Sequence, residues 1–395
     1  MPKSKATRPP NPRAATPVAA EAPAGTVSLP TGGGAVPITQ QEIVSRLGIS
    51  RGTLHRILVG SPLVKTSTRE RVLRELREID YVPNAVARGL KTRRTHSIGI
   101  IGPAAFKTSN IDKINALHIA ARARGYSVVF GYSDGSPQAE VTCIRELRSK
   151  MVDGFIALSR GLSESLPHYK ALQKAGLPLV QLYPLAGLEA DCVYVDTRRA
   201  FADLTRHLIR LGHSRIALML DASASQFTVN RELGYRDAMK AAGIALEEDW
   251  IIHATPDGSP LPPGGPRAGD PGWDASDYQY GFWGTSQVLA RKERPTALVC
   301  FSDEYAIGAL RAADLAGVRV PSELALVGYD DKEPAKFARV PLTTMHQPDE
   351  RIGEAAVSLL ADRIEGRIPT EGPVTRPLEA TLVVRDSCGA RARRE

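Results

Sequence analysis

The chain has 395 residues, 43% hydrophobic and 24% charged, with a formal net charge of +8. That length suits two or three domains and that composition is globular. No run of ~18 apolar residues is present to cross a membrane. The first 30 residues lack the apolar core of a secretory signal, so the expected address is the cytoplasm, with no membrane partner. The charge is unevenly placed. Residues 1–97 hold 16 Lys/Arg against 6 Asp/Glu, and the other 298 residues hold 35 against 37. A basic end on a near-neutral body points to a polyanion-binding head and a body with a separate task. Cys143, Cys192, Cys300 and Cys388 lie far apart with no CxxC pair, which argues against a disulfide framework and a zinc site, and no cofactor or metal is expected.

Residues 1–37 are rich in Pro and Ala, without an apolar period, and read as a disordered extension. Residues 38–81 read as three short helices. Thr39 and Glu42 form a capping box ahead of Ile43 and Leu47, and Gly48 ends the first helix. Ser50 caps a second helix, Arg51 to Leu58, with Leu54, Ile57 and Leu58 on one face. After a Gly60-Ser61-Pro62 turn, Ser67 to Glu70 make a second capping box that opens a helix with Val72, Leu73, Leu76 and Ile79 inward. This is the pattern of a helix-turn-helix unit. Residues 82–97 form a basic connector.

From residue 98 short apolar runs alternate with amphipathic stretches. Strands are expected at Ile98–Ile101, Ser127–Phe130, Gly154–Leu158, Leu179–Leu182, Arg215–Leu220, Ala297–Phe301 and Leu324–Gly328. Helical periods lie between them, roughly over 111–124, 138–150, 165–175, 199–211, 229–242, 279–291 and 304–316. Alternation of this kind implies parallel sheets covered by helices, and its extent implies two lobes, spanning 98–386 with a tail from 387. Residues 255–275, rich in Pro and Gly, read as a loop insertion.

Several of these segments resemble the LacI/GalR family of bacterial transcription regulators. In the head they are Leu47-Gly48-Ile49-Ser50-Arg51-Gly52-Thr53, Thr68-Arg69-Glu70-Arg71-Val72 and Tyr81 through Leu90. In the body they are Leu211-Gly212-His213-Ser214-Arg215-Ile216-Ala217, Arg231-Glu232-Leu233-Gly234-Tyr235, Phe301 through Ala309, Val327-Gly328-Tyr329-Asp330-Asp331 and Pro341-Leu342-Thr343-Thr344. The resemblance implies an all-α helix-turn-helix head, a hinge, and an α/β core of two parallel-sheet lobes like a periplasmic binding protein. It also implies a homodimer on a pseudo-palindromic double-stranded DNA operator, with a small-molecule effector, a sugar or related metabolite, between the lobes controlling DNA affinity. Ser302 stands where the family usually has Asn.

Ser50, Arg51, Gly52, Thr53, His55 and Arg56 lie at or near the recognition end of the second helix. By resemblance Arg51 and Gly52 occupy the main base-reading positions. An Arg there pairs bidentately with guanine, while Gly52 lets the helix sit close to the groove. Thr39 and Thr53 are phosphate candidates. The hinge segment, with Asn84, Ala87, Arg88 and Leu90, becomes helical on DNA by resemblance, and Leu90 wedges into the minor groove. For the effector, the resemblance points to Arg231 and Asp303; a carboxylate and a guanidinium suit a polyol. Ser159, Tyr183, Phe106 and Trp273 are further candidates near strand ends or for stacking. His213 reads as a hydrogen-bonded turn residue, and Asp330-Asp331 as structural rather than a metal pair. No GxSxG or other catalytic constellation is found, so no enzyme is expected. Two alternatives stay open: an architectural DNA-binding protein with a vestigial pocket, and an α/β enzyme carrying a helix-turn-helix.

Overall fold

The computed structural model describes residues 40–58, 61–79, 81, 94–102, 108–133, 137–158, 164–221, 226–254, 277–369 and 372–390. The expectations for 1–37, for most of the 82–97 connector and for the 255–275 insertion lie outside the described residues.

Residues up to Pro83 form one compact unit and residues from Asn84 another. In the first, α1 (Gln40–Leu47), α2 (Arg51–Leu58) and α3 (Thr66–Glu78) enclose a small core. Ile43, Val44 and Leu47 from α1 meet Leu54 and Ile57 from α2 and Val72 and Leu76 from α3. The turn between α1 and α2 passes through Gly48 at φ +59, a left-handed conformation that a Cβ would strain. Ser50 caps α2: its Oγ accepts from the Thr53 amide at 3.0 Å. The expected capping box at Ser67 is corrected. The third helix already begins at Thr66, its N-cap residue is Lys65, and no side chain caps it. Ser67 therefore sits inside the first turn, where its hydroxyl is past the position that reaches the free amides.

The second unit contains two six-stranded sheets. The first, in order β11-β5-β4-β3-β1-β2, uses β1 (Ser97–Gly102), β2 (Ser127–Tyr132), β3 (Gly154–Ala157), β4 (Leu179–Gln181), β5 (Asp191–Val195) and β11 (Thr375–Leu378). The second, β12-β10-β9-β8-β6-β7, uses β6 (Ile216–Asp221), β7 (Ile251–Ala254), β8 (Ala297–Cys300), β9 (Ala325–Asp330), β10 (Thr343–His346) and β12 (Thr381–Val383). Every pairing is parallel except β10 with β12. Helices α4 (Thr108–Ala123), α5 (Pro137–Ser149), α6 (Leu166–Lys174), α7 (Thr197–Arg210), α8 (Gln226–Ala241), α9 (Asp277–Leu289), α10 (Asp303–Leu315), α11 (Glu333–Phe337) and α12 (Asp349–Ile364) cover them. The central strands are buried on both faces, which is why they read as continuous apolar runs.

The chain changes lobe three times: between β5 and α7, between β10 and α12, and between β11 and β12. Helix α12 packs on α4 and on β3, β4 and β5, so it belongs to the first lobe although it follows a strand of the second. The core also runs past 386, which corrects the expected start of a tail. Ser387 and Cys388 are buried, and the Leu326 amide donates to the Ser387 carbonyl at 2.8 Å. Among the described residues no helix is long and apolar enough to cross a membrane.

Candidate functional site

Two regions carry the candidate residues. In the helical head, packing Leu54 and Ile57 inward leaves the other face of α2 outward. Ser50, Arg51, Gly52, His55 and Arg56 are exposed and Thr53 is half-buried. Gly52 has open space at its Cβ position, with Ser50 Oγ, 3.7 Å away, the nearest atom. Among the described residues no packing within the head requires a glycine there, although glycine weakens a helix by ~1 kcal/mol. Thr39 and the hinge residues Asn84, Ala87, Arg88 and Leu90 lie outside the described residues.

In the core, the C-terminal ends of β4 and β5 meet the second lobe at Phe227, which packs on Phe301 after β8, and at Gln347 after β10. Tyr183, just after β4, meets Phe227 at the start of α8 edge-on, with ring centroids 5.3 Å apart. Lys113 and Thr197 line the same interlobe space with Tyr183, Tyr194, Phe227 and Gln347. This is where an open α/β sheet receives ligands.

Arg231 on α8 is 1% exposed. Its guanidinium carbon lies 3.9 Å from the centroid of Phe301, 4.0 Å from Phe227, 4.4 Å from Tyr329 and 4.9 Å from Phe201. Four ring faces thus offset the burial of one cation, and an Nη donates to the Phe301 carbonyl. Asp303 opens α10 behind the capping Ser302, whose Oγ accepts from the Tyr305 amide at 3.4 Å. The Asp303 carboxylate accepts from the Lys332 amide at 2.8 Å and the Thr344 hydroxyl at 2.6 Å. Burial, and then the nearby Asp330 carboxylate, push its pKa up to about 8. A Cβ on Gly328 would lie 2.2 Å from an Asp303 oxygen, so the carboxylate packs where only glycine leaves room. Asp303 is therefore tied to its own lobe by both oxygens. Phe106, Ser159 and Trp273 lie outside the described residues.

One residue at the site was read from sequence only as structural. Asp330 ends β9 with φ +113, a strained backbone for a non-glycine residue. It is buried, accepts from the Gln347 amide group, and is held above the usual carboxylate range by burial, against the pull of Lys113, Lys332 and Arg231. The φ and the cationic neighbours mark it, and neither is visible in a one-dimensional pattern. Its neighbour Asp331 pairs with Arg385 at 2.5 Å and His346 at 3.1 Å. His213 Nδ1 lies 2.9 Å from the Thr296 hydroxyl, in keeping with a turn residue.

A helix-turn-helix unit joined to a two-lobed α/β body with a buried polar site between its strand ends defines a ligand-binding-protein core carried behind a nucleic-acid-binding head. Residues 95–260 match the family described as periplasmic binding proteins and sugar binding domain of LacI family, and residues 205–388 match a periplasmic binding protein-like domain. The chain is 30% identical over 351 residues to the HTH-type transcriptional repressor PurR of Erwinia tasmaniensis, covering 88% of this chain and 96% of that one. It is 29% identical over 350 residues to the ribose operon repressor of Haemophilus influenzae, covering 88% and 98%. A solved transcriptional regulator CelR–cellobiose complex superposes with a TM-score of 0.64 at 29% identity, over 88% of this chain and 99% of that one. The chain belongs to the LacI family of transcriptional regulators.

Proposed function

We propose that the protein is a dimeric, cytoplasmic, sequence-specific DNA-binding repressor whose operator affinity is set by a small metabolite between the core lobes, and that it is not an enzyme. The observation that carries the DNA half is the outward face of α2, where Arg51, His55 and Arg56 stand exposed beside a glycine that the head's own packing does not need. Arg51 reads a guanine edge, Gly52 admits the groove wall closely, and Ser50, Thr53 and Arg56 take backbone or flanking contacts. Asn84, Ala87, Arg88 and Leu90 supply the minor-groove contact, and Thr39 a phosphate contact.

The effector half is supported by Arg231, buried against Phe227 beside Tyr183 where the two lobes meet, and by the buried Asp330 at the end of β9. A sugar or related polar metabolite suits a site that pairs carboxylates and a guanidinium with aromatic rings. Asp303 then acts by holding the β9–β10 end of the site. Ser159, Phe106 and Trp273, outside the described residues, are further candidates for contact with the effector. Binding favours one angle between the lobes, and the shift in operator affinity is limited by the ligand's differential affinity for the two states.

Selection from a random oligonucleotide pool with the full chain tests this. The expected result is a pseudo-palindromic site with a flexible pyrimidine–purine centre, whose occupancy changes with at least one member of a panel of sugars and nucleosides. A pool that emerges without sequence preference overturns the reading.

A further inference from the structure

We infer that Lys332 is a positioning residue that sets the angle between the two lobes, through an ammonium that joins the second lobe to two carboxylates of the first. Its backbone belongs to the second lobe: it follows β9 by two residues, and its amide donates to Asp303 at 2.8 Å. Its Nζ lies 2.7 Å from Asp112 on α4 and 2.8 Å from Asp349, the first residue of α12. Both helices belong to the first lobe. Lys113, also on α4, approaches the other Asp349 oxygen at 3.2 Å, a pair wholly within the first lobe.

The Lys332 side chain is 5% exposed and that of Asp349 10%, so this contact is shielded from solvent and from screening salt, while Asp112 is half open to solvent. Burial lowers the ammonium's affinity for its proton, but Asp349 and Asp330 outweigh it and hold the group above the usual lysine range. Removing one partner from such a pair leaves a buried charge uncompensated, so parting the lobes through it is unfavourable. The two contacts differ in leverage. Asp349 stands three residues past β10, beside a chain crossover, and moves little when the lobes turn. Asp112 stands on a helix far from any crossover in sequence, so it is the arm that must be released. Lys332 also follows Asp330 by two residues, which places the tie next to the candidate effector site. Only this last link, to operator control, rests on the function proposed above.

The lobe angle is measurable without DNA or effector. Spin labels on cysteines introduced at the exposed positions Arg122 on α4 and Arg311 on α10 report one interlobe distance; the four native cysteines are buried. Diluting labelled chains with unlabelled ones isolates the distance within a chain. The expected result is a single narrow distance in the labelled parent, and a broadened or longer distribution in both Lys332→Met and Asp112→Asn. Asp112→Asn, at a side chain 55% exposed, keeps the test open should Lys332→Met fail to fold. Lys113→Met, which cuts only the pair inside the first lobe, leaves the distance narrow. An unchanged distribution in Asp112→Asn, or equal broadening in Lys113→Met, overturns the assignment. With neither DNA nor metabolite in the sample, that outcome is independent of the oligonucleotide selection.

Discussion

Arginine is used in opposite ways in the head and in the core. On α2 the head leaves Arg51 and Arg56 exposed. In the core, Arg231 is wrapped by four aromatic rings and held by a carbonyl of its own lobe. An exposed guanidinium adds little to stability and is available to an external polyanion. A buried one must be compensated in place, so it becomes part of the fold and meets only what enters the cleft. Substitutions should therefore separate stability from DNA affinity in opposite senses in the two regions.

The largest separation is expected at Arg231. Arg231→Ala removes a buried side chain from its aromatic surround and should destabilise the core by roughly 3 kcal/mol, the range of large-to-small changes at packed sites. Thermal unfolding of the full chain measures this, and hydrogen exchange of the α2 amides should stay unchanged. Arg51→Ala should do the reverse. It should weaken binding to the selected operator by ~1–3 kcal/mol, the discrimination of a bidentate base contact, with core melting unaltered. Fluorescence anisotropy on the selected site and on scrambled DNA separates that from a uniform electrostatic loss.

Smaller effects sharpen the contrast within α2. Ser50→Ala should cost about 1 kcal/mol of local stability by freeing the Thr53 amide. Gly52→Ala should gain up to about 1 kcal/mol, since its Cβ meets nothing closer than 3.7 Å. Amide exchange across α2 reads both. If Gly52→Ala tightens the helix and yet weakens operator binding, the glycine is required by the groove rather than by the head.

Asp303 provides a test by pH. Burial raises its carboxyl from the ordinary value of 3.8 to about 8 in the folded chain. The folded state thus binds a proton that the unfolded state has released between those values. Its contribution is fully present below the unfolded pKa and is lost as pH rises through the folded one. Asp303→Asn keeps an acceptor without the charge, so its stability should fall less than that of the parent between pH 4 and 8, as followed by denaturant unfolding at each pH.

The chain's own pattern made much of this legible. Gly48 and Ser50 place the head's turn and cap, and the apolar runs at 98–101, 154–158, 297–301 and 324–328 mark the strands buried on both faces. Strands β5, β10 and β11, like β7 and β12, are not legible. Asp191 opens the first, Thr343 and Thr344 fill half of the second, and Pro377 interrupts the third. Each is a strand because a neighbour supplies its ladder or satisfies its hydroxyls, as Asp303 does for Thr344 and Ser387 for the Thr343 amide. Helix α12 carries a readable period at Ile352, Ala356, Leu359 and Leu360, but its assignment to the first lobe is a matter of topology.

The sequence by itself determined the basic head, the alternating core and the motifs that place the chain in its family, because each rests on spacing between near neighbours. The tertiary structure alone decided that Arg231 lies inside an aromatic surround, that both Asp303 oxygens are taken by its own lobe, that Asp330 is held in a left-handed backbone at the cleft, and that Lys332 reaches across to Asp112. Those are contacts between residues up to 220 positions apart. Their energies depend on burial and on which charges end up adjacent, and a linear pattern holds neither.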